Sequence, residues 1–103
     1  MTDRVLSGLS LAAKAGKVRS GEVAAGQALR SGNASLLVIA GDASENTKKK
    51  FRNLAETCRV PVMEYGDRAS LGGAIGKEFR SAAAVTDEGL AGLIRGAGTE
   101  QRG

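Results

Sequence analysis

The sequence predicts a layered α/β domain whose sheet is mostly buried. Segments of helical periodicity alternate with short apolar segments along 103 residues, a length that fits one small domain. Residues 36–40 are bulky and apolar on both faces, as expected for a strand that helices cover on two sides. A hydrophobic content of 42% can form a core, and with two phenylalanines, one tyrosine and no tryptophan that core must be aliphatic.

The spacing of apolar residues defines the first two helices. The first is predicted over residues 3–15, where leucines recur at helical intervals, and Gly16 stops it. A short extended piece at 17–20 leads into a second helix over 21–32. The apolar side expected for this second helix contains Val23, Ala24, Ala28 and Leu29.

The third helix follows the strand at 36–40 and shows the most regular pattern. Its apolar face is predicted to contain Thr47, Phe51, Leu54, Ala55 and Cys58. Either Asp42 or Ser44 can cap this helix, and Asp42 with Glu45 would form a capping box. The same periodicity turns the lysines at 48–50 mostly outward.

The last third of the chain contains two strands and two helices. Residues 60–63 include a proline, which favours an edge strand because proline has no N–H to donate. A short helix is predicted over 69–76, a small-residue strand over 81–86 and a closing helix over 88–95. The side chains expected to point inward from the closing helix are Leu90, Leu93 and Ile94. Residues 96–103 lack any pattern, so we expect a flexible tail there.

The chain has few of the side chains that commonly act in catalysis. It contains no histidine and one cysteine, so it cannot form a Ser–His pair, a Cys–His pair or a Cys/His zinc site. Glu22 and Asp42 are a conceivable carboxylate pair, but no histidine or metal-type cluster accompanies them. We therefore expect no enzyme, no metal and no cofactor.

Cysteine usage and the amino terminus indicate the compartment. Cys58 is expected to be a buried core thiol, and a single cysteine cannot form an internal disulfide, which fits a reducing environment. The polar start at residues 1–4 leads into a segment too short and too polar for a signal peptide or a membrane span. We expect a soluble cytoplasmic protein.

Five blocks of sequence, in order, carry a resemblance to a known family. The blocks are residues 9–22, 37–50, 60–62, 71–77 and 84–87. They resemble the bacterial YlxQ-type members of the kink-turn-binding ribosomal-protein family, which includes the archaeal ribosomal protein L-seven-Ae. The resemblance extends from about residue 4 to residue 95. It implies a three-layer α/β/α sandwich around a four-stranded mixed sheet, with one RNA-binding domain at 1–95 and a flexible tail at 96–103.

The resemblance also implies a binding surface. In the family, one edge of the sandwich touches a sharply bent RNA made of a helix, an internal loop and a second helix. The matching positions here are Lys17, Arg19, Gly21, Glu22, Gln27, Arg30, Asp42, Ser44, Asn46, Lys48, Glu78, Phe79, Arg80 and Ser81. The implied partner is structured RNA, either kink-turn-like or ribosomal, and no DNA or membrane partner is expected. The protein itself is expected to be a monomer.

The second helix departs from the family pattern. Kink-turn-binding members carry an Asn-Glu pair at its start and a lysine one turn later, whereas this chain has Val23-Ala24 and then Gln27. Asparagine and glutamate can recognise purine edges through paired hydrogen bonds, and valine and alanine cannot. A protein-interaction module that has lost kink-turn recognition is therefore the alternative function.

Two basic clusters and one loop have both a functional and a plain interpretation. A net charge of +4 fits RNA binding and also an ordinary solvated surface. The lysines at 48–50 lie in the first turns of a helix, where cations oppose the helix dipole and a bound phosphate would offset that cost. If the strands ending at 20 and 40 point to one sheet edge, these lysines would converge with the cluster of Lys14, Lys17 and Arg19. Phe79-Arg80 is either core plus solvent or a contact to a splayed base.

Overall fold

The structure is a computed structural model that describes the backbone of residues 3–102 and the side chains of residues 3–98. Within that range the chain forms five helices and four strands. In order they are α1 (Arg4–Lys14), β1 (Val18–Ser20), α2 (Glu22–Arg30), β2 (Leu36–Ile39), α3 (Glu45–Cys58), β3 (Val62–Glu64), α4 (Arg68–Ala74), β4 (Ala82–Val85) and α5 (Glu88–Arg102).

The strands form one mixed sheet in the order β1-β4-β2-β3. β4 is antiparallel to both β1 and β2, whereas β2 and β3 are parallel. The two central strands, β2 and β4, are buried along their whole length. The proline-containing segment leads into β3 at one edge of the sheet, as predicted.

Helices cover the two faces of the sheet and create two cores. Successive side chains of β2 point to opposite faces, so Leu36 and Val38 belong to one core and Leu37 and Ile39 to the other. The first core receives side chains from α1, α4 and α5, and the second from α2 and α3. The large helix residues involved are Val5, Leu9, Leu71 and Ile94 in the first core, and Leu29 and Phe51 in the second. The predicted three-layer α/β/α sandwich with a four-stranded mixed sheet is confirmed.

The cap of α3 settles one of the open alternatives. The Ser44 hydroxyl accepts a hydrogen bond from the Thr47 N–H at 3.1 Å, so Ser44 is the N-cap. The capping box with Asp42 and Glu45 is wrong, because the Asp42 carboxylate instead accepts from the Arg68 N–H at 2.8 Å.

Three other expectations about burial and length differ from the structure. Leu93 and Val23 are exposed, not inward, because each lies on the outer side of its helix. Cys58 is half-buried against the second core. The expected tail at 96–103 is helical as far as Arg102, with Ala97 and Gly98 buried, and Gly103 lies outside the described residues.

Two features are absent from the part of the chain that the structure describes. None of its helices is both long enough and apolar enough to cross a membrane. Among these residues the cysteine and acidic side chains form no group that could hold a metal ion.

Candidate functional site

The topology brings three predicted segments to one edge of the sheet. Because β4 runs antiparallel between β1 and β2, its first residues meet the ends of both neighbours. The Gly21 N–H donates to the Ala82 carbonyl at 3.0 Å, and the Ala40 N–H donates to the Ser81 carbonyl at 2.9 Å. We call the surface formed by residues 21–24, 42–50 and 78–81 the sandwich edge.

The start of α2 requires a glycine. Gly21 has φ +91° and ψ 161°, a conformation that is essentially confined to glycine. Space is not the constraint, since a Cβ atom added there would lie 3.9 Å from the Arg80 Nε atom, an ordinary van der Waals contact. Gly21 supplies no side-chain cap, so the first N–H groups of α2 have no side-chain acceptor of that kind.

Arg80 is half-buried and holds the loop that leads into β4 through three hydrogen bonds. Its Nε donates to the Ser20 hydroxyl at 3.3 Å, its Nη1 donates to the Phe79 carbonyl at 2.8 Å, and its backbone N–H donates to the Arg68 carbonyl at 3.1 Å. Arg80 therefore fixes the shape of the loop. Gly72 supports the loop from α4, because any side chain there would collide with the Glu78 carbonyl.

The corner between β2 and α3 is tied to the start of α4. Besides the Arg68 N–H, the Asp42 carboxylate lies 3.5 Å from the Arg68 Nε. The Gly41 N–H donates to the Gly66 carbonyl at 2.8 Å. These contacts hold the turn that contains Asp42 and leads to Ser44, with Asn46 just beyond it in the first turn of α3. They also give Asp42 a structural partner within the protein.

The three consecutive lysines of α3 point in different directions, because each residue of an α-helix is rotated by about 100° from the last. Lys48 turns toward β3, where its Nζ lies 3.1 Å from Glu64 Oε1 and 3.6 Å from Glu45 Oε2. Its side chain is only 16% exposed, so the expectation that Lys48 faces outward is wrong. Lys50 turns toward α2, where its Nζ lies 3.6 Å from Glu22 Oε1.

Glu64, the last residue of β3, forms ion pairs with two cationic side chains. It accepts hydrogen bonds from both Lys48 and Arg52. The hydrogen bond from Lys48 is the largest cause that lowers the pKa of Glu64 from its ordinary value of 4.5, and the charges of Lys48 and Arg52 add to it.

Four of the expected binding residues lie on a flank between β1 and α2. The Lys17 carbonyl accepts from the Thr86 N–H at 2.8 Å, which places Lys17 at the far end of β1 from the sandwich edge. The expected convergence of Lys17 with the α3 lysines is wrong, because Lys17 precedes β1 and does not follow it. Arg19 donates to the carbonyls of Gly16 and Val18, and it lines a groove together with Gln27.

Arg30 completes this flank. Its guanidinium folds back over Gly26, 3.1 Å from where a side chain would begin. The missing side chain at Gly26 therefore lets Arg30 lie flat along α2.

Two large apolar side chains are exposed at the sandwich edge. Val23 is 74% exposed at the start of α2, and Phe79 is 62% exposed in the loop before β4. Val23 follows Gly21 by two residues, and Phe79 directly precedes Arg80. The exposure of Phe79 excludes the interpretation as a core residue.

Sequence reasoning missed Arg68, Glu64 and the direction of Lys50. Arg68 could have been found, since Asp67 and Ser70 form a capping box that marks the start of α4 just before it. The pairing of Glu64 with Lys48 has no local signal, because the two residues are brought together by the parallel pairing of β2 and β3.

Comparisons with known proteins identify the family to which the chain belongs. The family model described as "Ribosomal protein L7Ae/L30e/S12e/Gadd45 family" matches residues 3–94. The RNA-binding protein YlxQ of Bacillus subtilis (strain 168) is 43% identical over 83 residues, which cover 81% of this chain and 83% of that protein. The large ribosomal subunit protein eL30 of Branchiostoma belcheri is 33% identical over 103 residues, which cover 98% of this chain and 90% of eL30.

A solved structure is also similar along nearly the whole chain. It is of a protein with unknown function from Bacillus halodurans C, with a TM-score of 0.89 and 33% identity, and the match covers 93% of this chain and 97% of that one. The resemblance in the five sequence blocks is thus confirmed. The chain belongs to the ribosomal protein L7Ae/L30e/S12e/Gadd45 family.

Proposed function

We propose that this protein is a non-catalytic RNA-binding protein that recognises structured RNA through the sandwich edge. One observation carries the proposal: the Gly21–Ala82 and Ala40–Ser81 hydrogen bonds fix three chain segments into one surface that presents cations beside exposed apolar side chains. Membership of the family and the similarity to a protein named as RNA-binding support it.

Phosphate contacts account for the affinity in this proposal. Lys50 and Arg68 are each about half exposed at or beside the edge. Arg19 on β1 and Arg30 on α2 extend the positive charge along the flank between these two elements. Contacts of this kind position an RNA without recognising its sequence, and they make binding depend on salt. Lys48 contributes less, because two carboxylates already hold it.

Shape accounts for the selectivity. Val23-Ala24 supplies no base-edge hydrogen bonds, but Val23 and Phe79 offer apolar surface on which an unstacked base can pack. A straight duplex exposes no such base, whereas a bent RNA with an internal loop does. We therefore propose that a bent helix–internal loop–helix RNA, such as one in ribosomal RNA, is the preferred ligand.

The test is an electrophoretic shift with three nucleic acids at low and moderate salt. The first is a kink-turn RNA, the second is the same RNA with its internal loop replaced by Watson–Crick pairs, and the third is the corresponding DNA duplex. We expect the bent RNA to bind most tightly. Equal binding to all three would contradict shape recognition.

A protein-interaction module is the second candidate, and the exposure of Val23 and Phe79 fits it as well. The same experiment distinguishes the two functions. No binding to any of the three nucleic acids at low salt would favour the protein-interaction module.

A further inference from the structure

β3 is an edge strand whose outer side carries backbone hydrogen-bonding groups. The Pro61 carbonyl accepts from β2 and the Tyr65 N–H donates to β2, each at 2.9 Å, so the odd-numbered residues of this segment face β2. In a parallel pair, the residues between them direct their N–H and C=O groups to the other side. The backbone groups of Val62 and Glu64 therefore point away from β2, and no strand of the described chain lies there.

The two edges of the sheet differ in how they are protected. At the β1 edge, the Arg19 guanidinium lies along its own strand and donates to the Val18 carbonyl at 3.1 Å, an acceptor that an added strand would need. The β3 edge is protected only by its length of three residues and by Pro61 just before it. Such features prevent two whole sheets from joining, but they leave room for a short extended segment.

A groove follows the outer side of β3 between the two helix layers. It consists of two adjoining cavities of about 650 Å³ and about 410 Å³, which share Pro61 and Arg95 as lining residues. Val62 packs on the second core and Met63 on the first, so the backbone edge of the strand forms the floor. We call the surface along residues 59–65 and Arg95 the β3 groove.

Three exposed arginines line the β3 groove. Arg52 comes from α3, Arg59 from the end of that helix, and Arg95 from α5. The carboxylate of Glu64 is shared between Lys48 and Arg52, so it does not neutralise both. The groove therefore keeps an excess of positive charge, which favours an acidic ligand.

The backbone of Arg59 supports a role for its side chain. Arg59 caps the end of α3 with φ +59° and ψ 42°, in the left-handed region. Glycine or asparagine usually occupies such a position, because other side chains are strained there. Among the residues that the structure describes, Arg59 is the one non-glycine residue with a positive φ. A strained residue that lines a groove points to a function for its side chain.

We infer that the β3 groove binds an extended acidic segment of a partner protein, which adds to the sheet as a further strand beside β3. The backbone groups of Val62 and Glu64 pair with that segment. Successive side chains of a strand point to opposite faces, and Arg52 and Arg95 lie in opposite helix layers, so neighbouring acidic residues each meet one arginine. The inference does not depend on the proposed function, because the β3 groove lies outside the sandwich edge.

The test uses a fluorescently labelled peptide of the sequence Thr-Glu-Glu-Thr-Glu-Glu-Thr and two matched controls. One control has lysine in place of every glutamate. The other keeps the sequence but has every backbone nitrogen methylated, so it carries the charge without the N–H donors. Fluorescence anisotropy measures the dissociation constants. We expect the acidic peptide to bind, and both controls to bind at least about tenfold more weakly.

Variants of the protein locate the bound peptide. Arg59→Asn and Arg95→Gln should each weaken binding about threefold, the range of an exposed ion pair. Lys14→Gln, which removes the same charge from an exposed position at the end of α1, should leave affinity almost unchanged. The bound peptide should also slow hydrogen exchange at the amides of Val62 and Glu64.

The melting temperature separates a binding role of Arg59 from a structural one. Asparagine adopts the left-handed backbone more readily than arginine, so Arg59→Asn should keep or raise the melting temperature while it weakens peptide binding. Lower stability together with unchanged peptide affinity would mean that the arginine serves the fold, and it would overturn the role of Arg59 in the groove.

An excess of the kink-turn RNA should not displace the peptide, because the two ligands occupy different surfaces. Displacement by RNA would assign the groove to RNA and overturn the inference. It is also overturned if the acidic peptide does not bind, if the methylated peptide binds equally well, or if Lys14→Gln matches the arginine variants. None of the peptide results decides the proposed function, which depends on the shift experiment with RNA.

Discussion

At the sandwich edge, α3 begins with a side-chain cap and α2 begins without one. Ser44 satisfies the first turn of α3, and Lys48 in the next turn is bound to Glu64. Gly21 gives α2 no cap, and Val23 beside it is exposed. One helix start is therefore capped within the protein, whereas the other leaves N–H groups without a side-chain cap and an apolar side chain exposed.

The largest expected effect comes from changing the open start of α2. Replacing Val23-Ala24 with Asn-Glu and Gln27 with Lys should raise selectivity for a kink-turn over a duplex, by roughly 1–3 kcal/mol for each paired base contact. Val23 is exposed, so the asparagine should not destabilise the core. Binding and thermal stability are measured together. A stable triple variant without improved selectivity would contradict the alignment of α2 with kink-turn-binding relatives.

Gly21→Ala tests whether the start of α2 depends on the glycine backbone conformation at its N-cap. The backbone at Gly21 has φ +91°, which an alanine adopts only with strain of about 1–3 kcal/mol. We expect a lower melting temperature and weaker RNA binding together. Gly16→Ala, at another positive φ with open space around it, is the control for stability, since it should lose stability and keep RNA affinity.

Ser44→Ala tests the closed start of α3. Losing the hydroxyl that accepts from Thr47 should cost about 1 kcal/mol of unfolding free energy. Ser44→Asp should restore stability, because aspartate is also a good N-cap. Denaturant unfolding measures both variants. If the alanine variant is as stable as the wild type, the cap contributes nothing.

Lys48 and Lys50 lie in the same helix, but the Lys48 side chain is largely buried whereas the Lys50 side chain is about half exposed. Lys50→Ala should lower RNA affinity and flatten its salt dependence by about one unit. Lys48→Ala should change RNA binding less, and it should lower stability by up to about 1 kcal/mol as Glu64 loses a partner. The reverse pattern in salt titrations and unfolding would mean that RNA binds the side of α3 that carries Lys48 and faces β3.

The smallest effect is a pH dependence at Glu64. Its pKa is lowered in the folded protein, so its stabilisation is fully present above the ordinary value of 4.5 and is lost as the pH falls through the lowered value. We expect the wild type to exceed Glu64→Gln in stability by less than about 1 kcal/mol at pH 7, with the difference closing below pH 4.5. Melting temperatures from pH 7 to pH 3 measure this. A difference that stays constant over that range would contradict the ion-pair explanation.

Local patterns predicted the elements well, and they failed where distant segments meet. The alternation of helices and strands and the edge position of β3 follow from short stretches of sequence, whereas the choice between Ser44 and Asp42 as the cap of α3 did not. The contact of Asp42 with Arg68 depends on how β3 returns beside β2, which no local pattern contains. Periodicity also misplaced Leu93, because α5 packs on the first core through Ala91, Ile94 and Ala97, which leaves Leu93 on the outer side of the helix.

The position of β4 has a consequence for how the chain folds. Among the residues that the structure describes, β1 pairs only with β4, through partners such as Val18 and Val85 that lie near opposite ends of the sequence. During synthesis from the amino terminus, β1 therefore has no strand to join until β4 has been made. The sandwich edge, which depends on the Gly21–Ala82 hydrogen bond, is completed only in this late step. Distant pairings of this kind slow folding, so the sandwich edge is among the last parts of the molecule to form.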